Sequence, residues 1–327
     1  MGRSDGLRAR SGVGTGSGER GRPDSERPNR PAVGPRSLRD ADRCAAPQHN
    51  RIIHGENLAA LAGLPDGCVD LIYIDPPFNT GRRQTRARLR TVRDEGDGDR
   101  TGFQGRRYRS EVLSRMSFSD SFLDFAAFLE PRLRAGERIL APTGSLFLHL
   151  DYREVHIGRL LLDEVFGPEH FMNEIIWAYD FGGRSRRRWP AKHDNILWYV
   201  KDPRHYTFRY EAIDRIPYMA PGLVSAEKAA RGKTPTDVWW QTIVPTNSAE
   251  RTGYPTQKPL ALLRRIVRVH SNPDELVCDY FAGSGTAGEA AAREGRRFLL
   301  IDEDPTAIEV MARRLAFADP SVTRGEA

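Results

Sequence analysis

The sequence predicts an α/β fold built on a doubly wound, mostly parallel sheet. Short apolar runs such as 69–74 alternate along the chain with segments of helical periodicity. These runs are apolar throughout, which is typical of parallel strands covered on both faces. With 327 residues, 39% of them hydrophobic, the chain is long enough for one large α/β domain with insertions.

The predicted elements follow one another in a regular order. Seven segments read as strands: 51–55, 69–74, 145–150, 174–178, 195–200, 276–279 and 297–302. Six segments read as helices: 57–64, 122–133, 154–165, 259–269, 286–294 and 306–316. The helix at 259–269 starts with proline, which is favoured at the first helical position.

Composition divides the chain into regions. Residues 1–48 are rich in Arg, Gly, Pro and Ser and hold few large apolar side chains, so they are predicted to be a disordered basic tail. The folded domain is expected over 49–318, and residues 319–327 are expected to form a second tail. Within the domain, the arginine-rich segment 81–118 is predicted to be a surface insertion, and 202–253 is irregular and polar with several aromatics.

Charge and cysteine content indicate the compartment and the kind of partner. The formal net charge of +6 favours polyanionic partners. No apolar run approaches the roughly 18 residues of a membrane span, and no N-terminal segment resembles a signal peptide. Cys44, Cys68 and Cys278 lack metal-ligand spacing and are predicted to be thiols in a reducing cytosol. We therefore expect a cytoplasmic protein without a membrane partner.

A glycine loop follows the strand at 276–279. Its sequence, Gly-Ser-Gly-Thr-Ala-Gly at 283–288, matches the GxGxxG pattern, and Asp302 ends the next strand. The glycines let the backbone approach a ligand, and the acid can hold ribose hydroxyls. Asp279 precedes the loop, where a carboxylate suits a cationic amino-acid moiety and repels a pyrophosphate. This detail favours S-adenosylmethionine over a nicotinamide dinucleotide.

A second polar segment, Asp-Pro-Pro-Phe at 75–78, ends the strand at 69–74. The amino nitrogen of a nucleobase is a poor nucleophile because its lone pair is delocalised into the ring. The Asp75 carboxylate and the Pro76 carbonyl can accept the amino hydrogens, and the two prolines keep these acceptors fixed. Phe78 offers a stacking face, which returns about 1–3 kcal/mol of the cost of extruding a base.

These segments resemble those of the amino-directed DNA methyltransferases of the permuted (β) group, over about residues 50–316. In that group the catalytic tetrapeptide precedes the cofactor loop. Residues 71–80 look like the catalytic motif and 279–286 like the cofactor loop. Residues 253–259 are similar to the segment before the first cofactor strand, and 192–197 resemble a late motif.

The resemblance implies a seven-stranded methyltransferase sheet with circularly permuted motif order. It also implies methyl transfer from S-adenosylmethionine to the N6 amino group of adenine in a base flipped out of double-stranded DNA. An Asp at the head of the tetrapeptide is typical of adenine enzymes. Phe78 and Tyr280 depart from the commoner Tyr and Pro. By position, catalytic or base-binding roles would fall on Asp75, Pro76, Pro77 and Phe78. The cofactor pocket would be lined by Lys258, Asp279, Phe281, Gly283, Gly285, Thr286 and Asp302.

Two arginine clusters flank these motifs and are predicted to hold DNA phosphates, while 202–253 is the candidate for target recognition. The clusters consist of Arg82, Arg83, Arg86 and Arg88 and of Arg184, Arg186, Arg187 and Arg188. For any single arginine, a solvated surface position is an equal alternative.

Other functions stay open at this point. A cytosine-N4 enzyme, a nicotinamide-dependent oxidoreductase and a DNA-binding protein without catalysis are the alternatives. A homodimer and a separate restriction endonuclease partner are also left open. No metal is expected, because His149, His170 and His193 lack zinc-ligand spacing and methyl transfer needs none.

Overall fold

The computed structural model describes most of the predicted domain. The described residues are 47–77, 82–93, 100–101, 107–120 and 124–325, with the backbone alone for the second, third and fourth ranges. The predicted tail 1–48, apart from its last two residues, and Phe78 lie outside them.

The strands and helices alternate along most of the chain. The strands are β1 (Arg51–His54), β2 (Val69–Ile74), β3 (Arg82–Arg93), β4 (Arg100–Thr101), β5 (Arg107–Asp120), β6 (Leu140–Asp151), β7 (Phe171–Ala178), β8 (His193–Val200), β9 (Val238–Trp240), β10 (Leu276–Asp279), β11 (Arg297–Asp302) and β12 (Ser321–Arg324). The helices are α1 (Asn57–Ala62), α2 (Phe125–Ile139), α3 (Val155–Phe166), α4 (Ala226–Arg231), α5 (Leu260–His270), α6 (Thr286–Arg293) and α7 (Pro305–Arg314).

The main sheet has the order β12-β1-β11-β10-β2-β6-β8-β7-β9 among the described residues. It contains all seven predicted strands, and β8 runs antiparallel to both of its neighbours. The doubly wound, mostly parallel class is confirmed. The sheet extends the predicted seven strands by β9 and β12, which are too short and too mixed in burial to stand out in the sequence. The segment 319–327, predicted to be a second tail, therefore contains the edge strand β12. This strand pairs with β1 in parallel, with Ser321 opposite Arg51.

Helices cover both faces of this sheet. On one face the core contains Leu262 and Ile266 of α5, Ala290 of α6 and Val310 of α7. On the other face, Leu61, Leu129 and Leu161 bring in α1, α2 and α3. The small residues of α6 allow close packing, since a Cβ at Gly288 would lie 2.6 Å from Leu300 Cδ1. No helix in the described ranges is long and apolar enough to cross a membrane.

Two predicted regions have regular structure of their own. The segment 81–118 contributes β3, β4 and β5, which form a separate antiparallel sheet in which Arg82 is opposite Asp120. The segment 202–253 contributes α4 and β9. Its aromatics divide between core and surface, because Trp239 is 8% exposed whereas Trp240 is 77% exposed.

Candidate active site

Three carboxylates meet at one edge of the main sheet. Asp279 ends β10, Asp302 ends β11 and Asp75 directly follows β2, and these three strands are parallel neighbours. Their carboxyl ends border a cleft of about 310 Å³, named here the acidic cleft. The predicted site residues on its wall are Asp75, Pro76, Pro77, Lys258, Asp279, Phe281, Gly283, Thr286 and Asp302. Both predicted segments, about 200 residues apart in sequence, thus line one cleft.

The glycine loop takes backbone conformations that favour glycine. Gly283 and Gly285 have φ of +49° and +73°, in the left-handed region. A Cβ at Gly283 would lie 3.1 Å from the Tyr254 ring, and one at Gly285 would lie 2.8 Å from Met311 Cγ. Gly285 is not on the cleft wall. It serves the loop by forming the turn that begins α6 and by letting α7 approach.

Asp302 fixes the loop to the neighbouring strand. Its two carboxylate oxygens accept the backbone N–H groups of Gly283 at 2.7 Å and Asp304 at 2.9 Å. Burial raises the pKa of Asp302 to about 6, because the loss of water outweighs the stabilisation from these two hydrogen bonds. The Asp302 side chain therefore holds Gly283 in position at the wall of the cleft.

Asp279 is a buried carboxylate at the floor of the cleft. It is 3% exposed, and its Oδ1 accepts the backbone N–H of Phe281 at 3.0 Å. Burial raises its pKa well above the usual value, and the negative charges of Asp75 and Asp302 raise it further. Lys258 lowers the pKa but does not offset the other effects. A cation placed beside Asp279 would stabilise its ionised form.

Asp75 has one bound and one free oxygen. The Lys258 ammonium donates to Asp75 Oδ2 in a largely buried ion pair. Oδ1 is buried and has no hydrogen-bond partner among the described residues. Lys258, predicted from the sequence as a cofactor residue, does line the cleft, but its ammonium contacts the carboxylate of the other predicted segment. Asp75 can therefore accept one hydrogen bond from a donor that enters the cleft.

The cleft wall has more acidic than basic side chains. Arg132 pairs with Glu56 and Lys258 pairs with Asp75. Four further acids on the wall have no salt-bridge partner among the described residues: Asp279, Asp302, Glu303 and Asp304. This charge balance favours a ligand with positive charge and disfavours a pyrophosphate.

A buried hydrogen-bonded network behind the cleft was not predicted. The Tyr73 hydroxyl lies 2.7 Å from His149 Nδ1, and His149 Nε2 lies 3.3 Å from Asp194 Oδ2. Tyr179 donates to Asp194 Oδ1 at 2.9 Å. Although burial raises the pKa of Asp194, hydrogen bonds from His149 and Tyr179 and the charge of Lys258 lower it overall. The alternation of strand residues places Tyr73 and Asp75 on the same side of the chain, but nothing in the sequence pairs Tyr73 with His149 or His149 with Asp194.

A second unpredicted residue supports the start of α6. The buried Arg314 guanidinium donates to Thr286 Oγ1 at 2.9 Å and to the Ser284 carbonyl at 3.2 Å, and it pairs with Glu289. Thr286 in turn donates to the Lys258 carbonyl at 3.2 Å. The predicted cofactor residue Thr286 therefore also links the glycine loop to the segment that carries Lys258.

One predicted arginine cluster lies at the same edge of the sheet as the acidic cleft. Arg184, Arg186, Arg187 and Arg188 are exposed in the loop between β7 and β8. Strands β6 and β7 are both antiparallel to β8, and β6 is parallel to β2. Strand β7 therefore runs in the same direction as β2 and ends at the same edge of the sheet as Asp75. Of the other cluster, Arg82, Arg83, Arg86 and Arg88, the structure describes only the backbone, in β3.

Comparison with solved structures reveals similar folds. M1.HpyAVI in complex with SAM has a TM-score of 0.53 and 20% identity, over 81% of this chain and 98% of that one. The cytosine-N4-specific PvuII DNA methyltransferase has a TM-score of 0.53 and 15% identity, over 86% of this chain and 96% of that one. At these identities the likeness shows a common fold.

Sequence comparisons identify the family. The chain is 30% identical over 275 residues to the DNA adenine methyltransferase YhdJ of Escherichia coli K12, covering 82% of this chain and 83% of that protein. It is 26% identical over 278 residues to the type II methyltransferase M.ScaI of Streptomyces caespitosus, covering 81% and 80%. A family model described as DNA methylase, N6_N4_Mtase, matches residues 69–313. The chain therefore belongs to the DNA methylase family of N6 and N4 methyltransferases.

Proposed function

We propose that this DNA methylase transfers a methyl group from S-adenosylmethionine to the N6 amino group of adenine in double-stranded DNA. The observation that carries the proposal is the combination, in one cleft, of an excess of carboxylate side chains with a buried and unpaired oxygen on Asp75. The first feature suits a cationic methyl donor. The second suits an amino group that must lose its planarity before it reacts.

The acids of the cleft fit S-adenosylmethionine, which carries an ammonium and a sulfonium. Asp279 at the floor of the cleft would face a positive charge of the methyl donor. That charge would lower the pKa of Asp279, which burial raises, and would so stabilise its ionised form. Asp302 at the end of β11 would hold the ribose hydroxyls, and Gly283 allows the backbone to approach. When bound, S-adenosylmethionine supplies an electrophilic methyl group. A nicotinamide dinucleotide fits less well, because its pyrophosphate would face the unpaired acids.

Asp75 would activate the target amine. Lys258 holds Oδ2, so Oδ1 remains to accept an amino hydrogen, and the Pro76 carbonyl is the second proposed acceptor. Withdrawing both hydrogens from the ring plane concentrates the lone pair on nitrogen. With a methyl donor held in the cleft, this nitrogen would take the methyl group as the carbon–sulfur bond breaks, which would release S-adenosylhomocysteine and one proton. No covalent enzyme intermediate is needed. Phe78, outside the described residues, is proposed to stack on the base.

The loop between β7 and β8 is proposed to hold the DNA backbone. Its four arginines are exposed, and Trp189 beside them is 96% exposed. Arginines bind phosphates, and an exposed aromatic next to them can stack on an unpaired base. The position of this loop at the edge of the sheet that carries Asp75 supports the assignment. The arginines of β3 are proposed to contribute in the same way.

Adenine is preferred over cytosine for two reasons. The chain has Asp at position 75, which is typical of adenine enzymes in the family it resembles. YhdJ, a DNA adenine methyltransferase by name, is 30% identical to this chain.

The chain order of the motifs, with Asp75 before the glycine loop, supports a place in the permuted group. A target-recognition role for 202–253, a homodimer, a separate restriction endonuclease and a nucleoid-associated location stay predictions.

The decisive experiment identifies the methylated nucleoside. Purified protein is incubated with tritium-labelled S-adenosylmethionine and unmethylated double-stranded DNA, and the digested product is separated by chromatography. We expect label in N6-methyl-2′-deoxyadenosine and none with Asp75→Asn. Asp66→Asn, which changes an exposed acid paired with Arg138, is the matched control and should transfer normally. Label in N4-methyl-2′-deoxycytidine would contradict the choice of base, and substantial transfer by Asp75→Asn would contradict the role of Asp75.

A further inference from the structure

A second cavity, of about 350 Å³, lies at the other end of the sheet from the acidic cleft. It is bounded by the first residues of β7, the last residues of α5 and parts of 208–239, and it is named here the aromatic cavity. The start of β7 and the end of α5 both lie near the amino ends of the parallel strands. No described residue lines both the cavity and the cleft.

Aromatic rings form the walls of this cavity. Trp198 and Phe208 are stacked, with ring centroids 5.8 Å apart and an interplanar angle of 16°. Trp239 contributes a third aromatic side chain. Phe208 is 41% exposed although it lies against buried Trp198. Trp198 is also stacked on Phe147, so the half-exposed ring of Phe208 is the aromatic surface most open to a ligand. Aromatic side chains around a cavity of this volume suit a planar ligand of one or two fused rings.

A buried polar group on the wall has an unsatisfied atom. His270 is 5% exposed, and its Nδ1 has no hydrogen-bond partner among the described residues. Burial lowers the pKa of His270 to about 3, so the ring is neutral at physiological pH. An unpaired buried nitrogen costs free energy that a ligand with a polar atom at that point would recover.

Arg265 supplies a positive charge without a matching carboxylate. Its guanidinium lies 4.8 Å from the centroid of the Trp239 ring, and burial lowers its pKa. In the described part of the chain Arg265 forms no ion pair. Asp214, whose charge raises the pKa of Arg265, is itself paired with Arg268 at 2.6 Å. The neighbouring Arg264 is different, because Glu294 neutralises it at 2.7 Å. The cavity therefore has one unsatisfied cation on its wall.

We propose that the aromatic cavity binds a planar aromatic molecule that carries a single carboxylate. The guanidinium of Arg265 can hold a carboxylate with two parallel hydrogen bonds, and the rings of Trp198 and Phe208 can contact the aromatic part. A single carboxylate can pair with Arg265, while Asp237, an exposed acid that also lines the cavity, stays hydrated. A phosphate dianion would place a second negative charge close to Asp237. The site is separate from the acidic cleft and its occupation does not depend on methyl transfer.

The test uses the full chain with the acidic cleft saturated by S-adenosylhomocysteine. Indole-3-acetate, its neutral analogue indole-3-acetamide and adenosine 5′-monophosphate are each titrated by calorimetry. The indole N–H resonances of the tryptophans are followed by nuclear magnetic resonance. We expect saturable binding of indole-3-acetate at least tenfold tighter than that of the other two compounds. The resonances of Trp198 and Trp239 should shift, and those of exposed Trp189 and Trp240 should not.

Variants separate the charge of the cavity from its shape. Arg265→Met should weaken indole-3-acetate binding at least tenfold and leave indole-3-acetamide binding within twofold, which also shows that the variant is folded. Arg264→Met, one residue away on α5 but paired with Glu294, should change neither. Four results would overturn the proposal. The first two are an absence of saturable indole-3-acetate binding and an equal affinity for the acetate and the acetamide. The other two are tighter binding of the monophosphate than of indole-3-acetate, and binding of indole-3-acetate by Arg265→Met that is as tight as binding by the wild type.

Discussion

Lys258 holds one oxygen of Asp75 and leaves the other oxygen buried and unpaired. The two residues lie 183 positions apart in sequence and come together where β2 meets the segment before α5. An ammonium on one side of a carboxylate fixes the direction in which its remaining oxygen faces. This ion pair therefore connects Asp75 of the proposed base site with Lys258, which was predicted to belong to the cofactor site.

Lys258→Met should impair catalysis more than cofactor binding. We expect kcat to fall by about tenfold to a hundredfold, which corresponds to removing a charge-assisted hydrogen bond of about 1.5–3 kcal/mol. The Kd for S-adenosylmethionine should change by less than about threefold, because a cation is removed from a cleft that is proposed to bind a cation. Steady-state kinetics and calorimetry measure the two quantities, with Lys258→Arg as the charge-retaining control. A large rise in Kd at unchanged kcat would instead support the cofactor role predicted from the sequence.

Asp279→Asn should stabilise the ligand-free protein and abolish its stabilisation by S-adenosylmethionine. Folding raises the pKa of Asp279, so the folded state holds this proton more tightly than the unfolded state does. The stability of the wild type therefore falls as pH rises above the unfolded pKa of about 4, whereas the amide does not titrate. We expect the variant to be more stable by about 1–3 kcal/mol at pH 8 and the difference to vanish near pH 4.

Thermal unfolding from pH 4 to pH 8, with and without S-adenosylmethionine, measures both effects of Asp279→Asn. Asp274→Asn, which changes an acid before β10 that lies outside the cleft, is the control. A variant that is less stable than wild type at pH 8 would show that the carboxylate has a compensating partner in the ligand-free protein.

Binding of S-adenosylmethionine should weaken as pH falls through about 6. The pKa of Asp302 is raised to about 6, and below this value the side chain loses the charge that holds Gly283 and Asp304. The Kd should rise by up to about tenfold per pH unit, the limit for one coupled proton. Asp302→Ala should bind about 1.5–3 kcal/mol more weakly at pH 7.5 and show a flatter pH profile. Calorimetry on both proteins checks this, with Glu309→Gln, which changes an exposed acid of α7 outside the cleft, as the control. Normal binding by Asp302→Ala would refute the assignment.

Replacing Arg184, Arg186, Arg187 and Arg188 with Ala should weaken DNA binding without changing sequence preference. Arginines bound to phosphates carry affinity but no direct sequence information. The slope of log K against log salt should fall by roughly 0.9 for each phosphate that is no longer neutralised. Binding to cognate and unrelated duplexes at several salt concentrations measures this, and an unchanged slope would mean that the arginines are a solvated surface. The control removes Arg134 and Arg293, which have carboxylate partners on helices.

The sequence determined the fold class and the main candidate site residues by itself. Strands of the central sheet are short and mostly apolar and are bounded by turn residues, so length, composition and flanking residues together distinguish them from helices. Asp75, Asp279 and Asp302 each end or follow such a strand, and parallel strands bring their carboxyl ends to one edge. The structure shows that these three residues, predicted in two separate segments, border one cleft.

Only the tertiary structure decided how these residues interact. The ion pair of Lys258 with Asp75, the raised pKa of Asp279 and the network of Tyr73 with His149 depend on distances and burial that no local pattern encodes. Edge strands such as β12 are formed by backbone hydrogen bonds to a neighbour, and short exposed segments carry no apolar signal for them. The aromatic cavity likewise exists because segments from distant parts of the chain pack around a space that none of them defines alone.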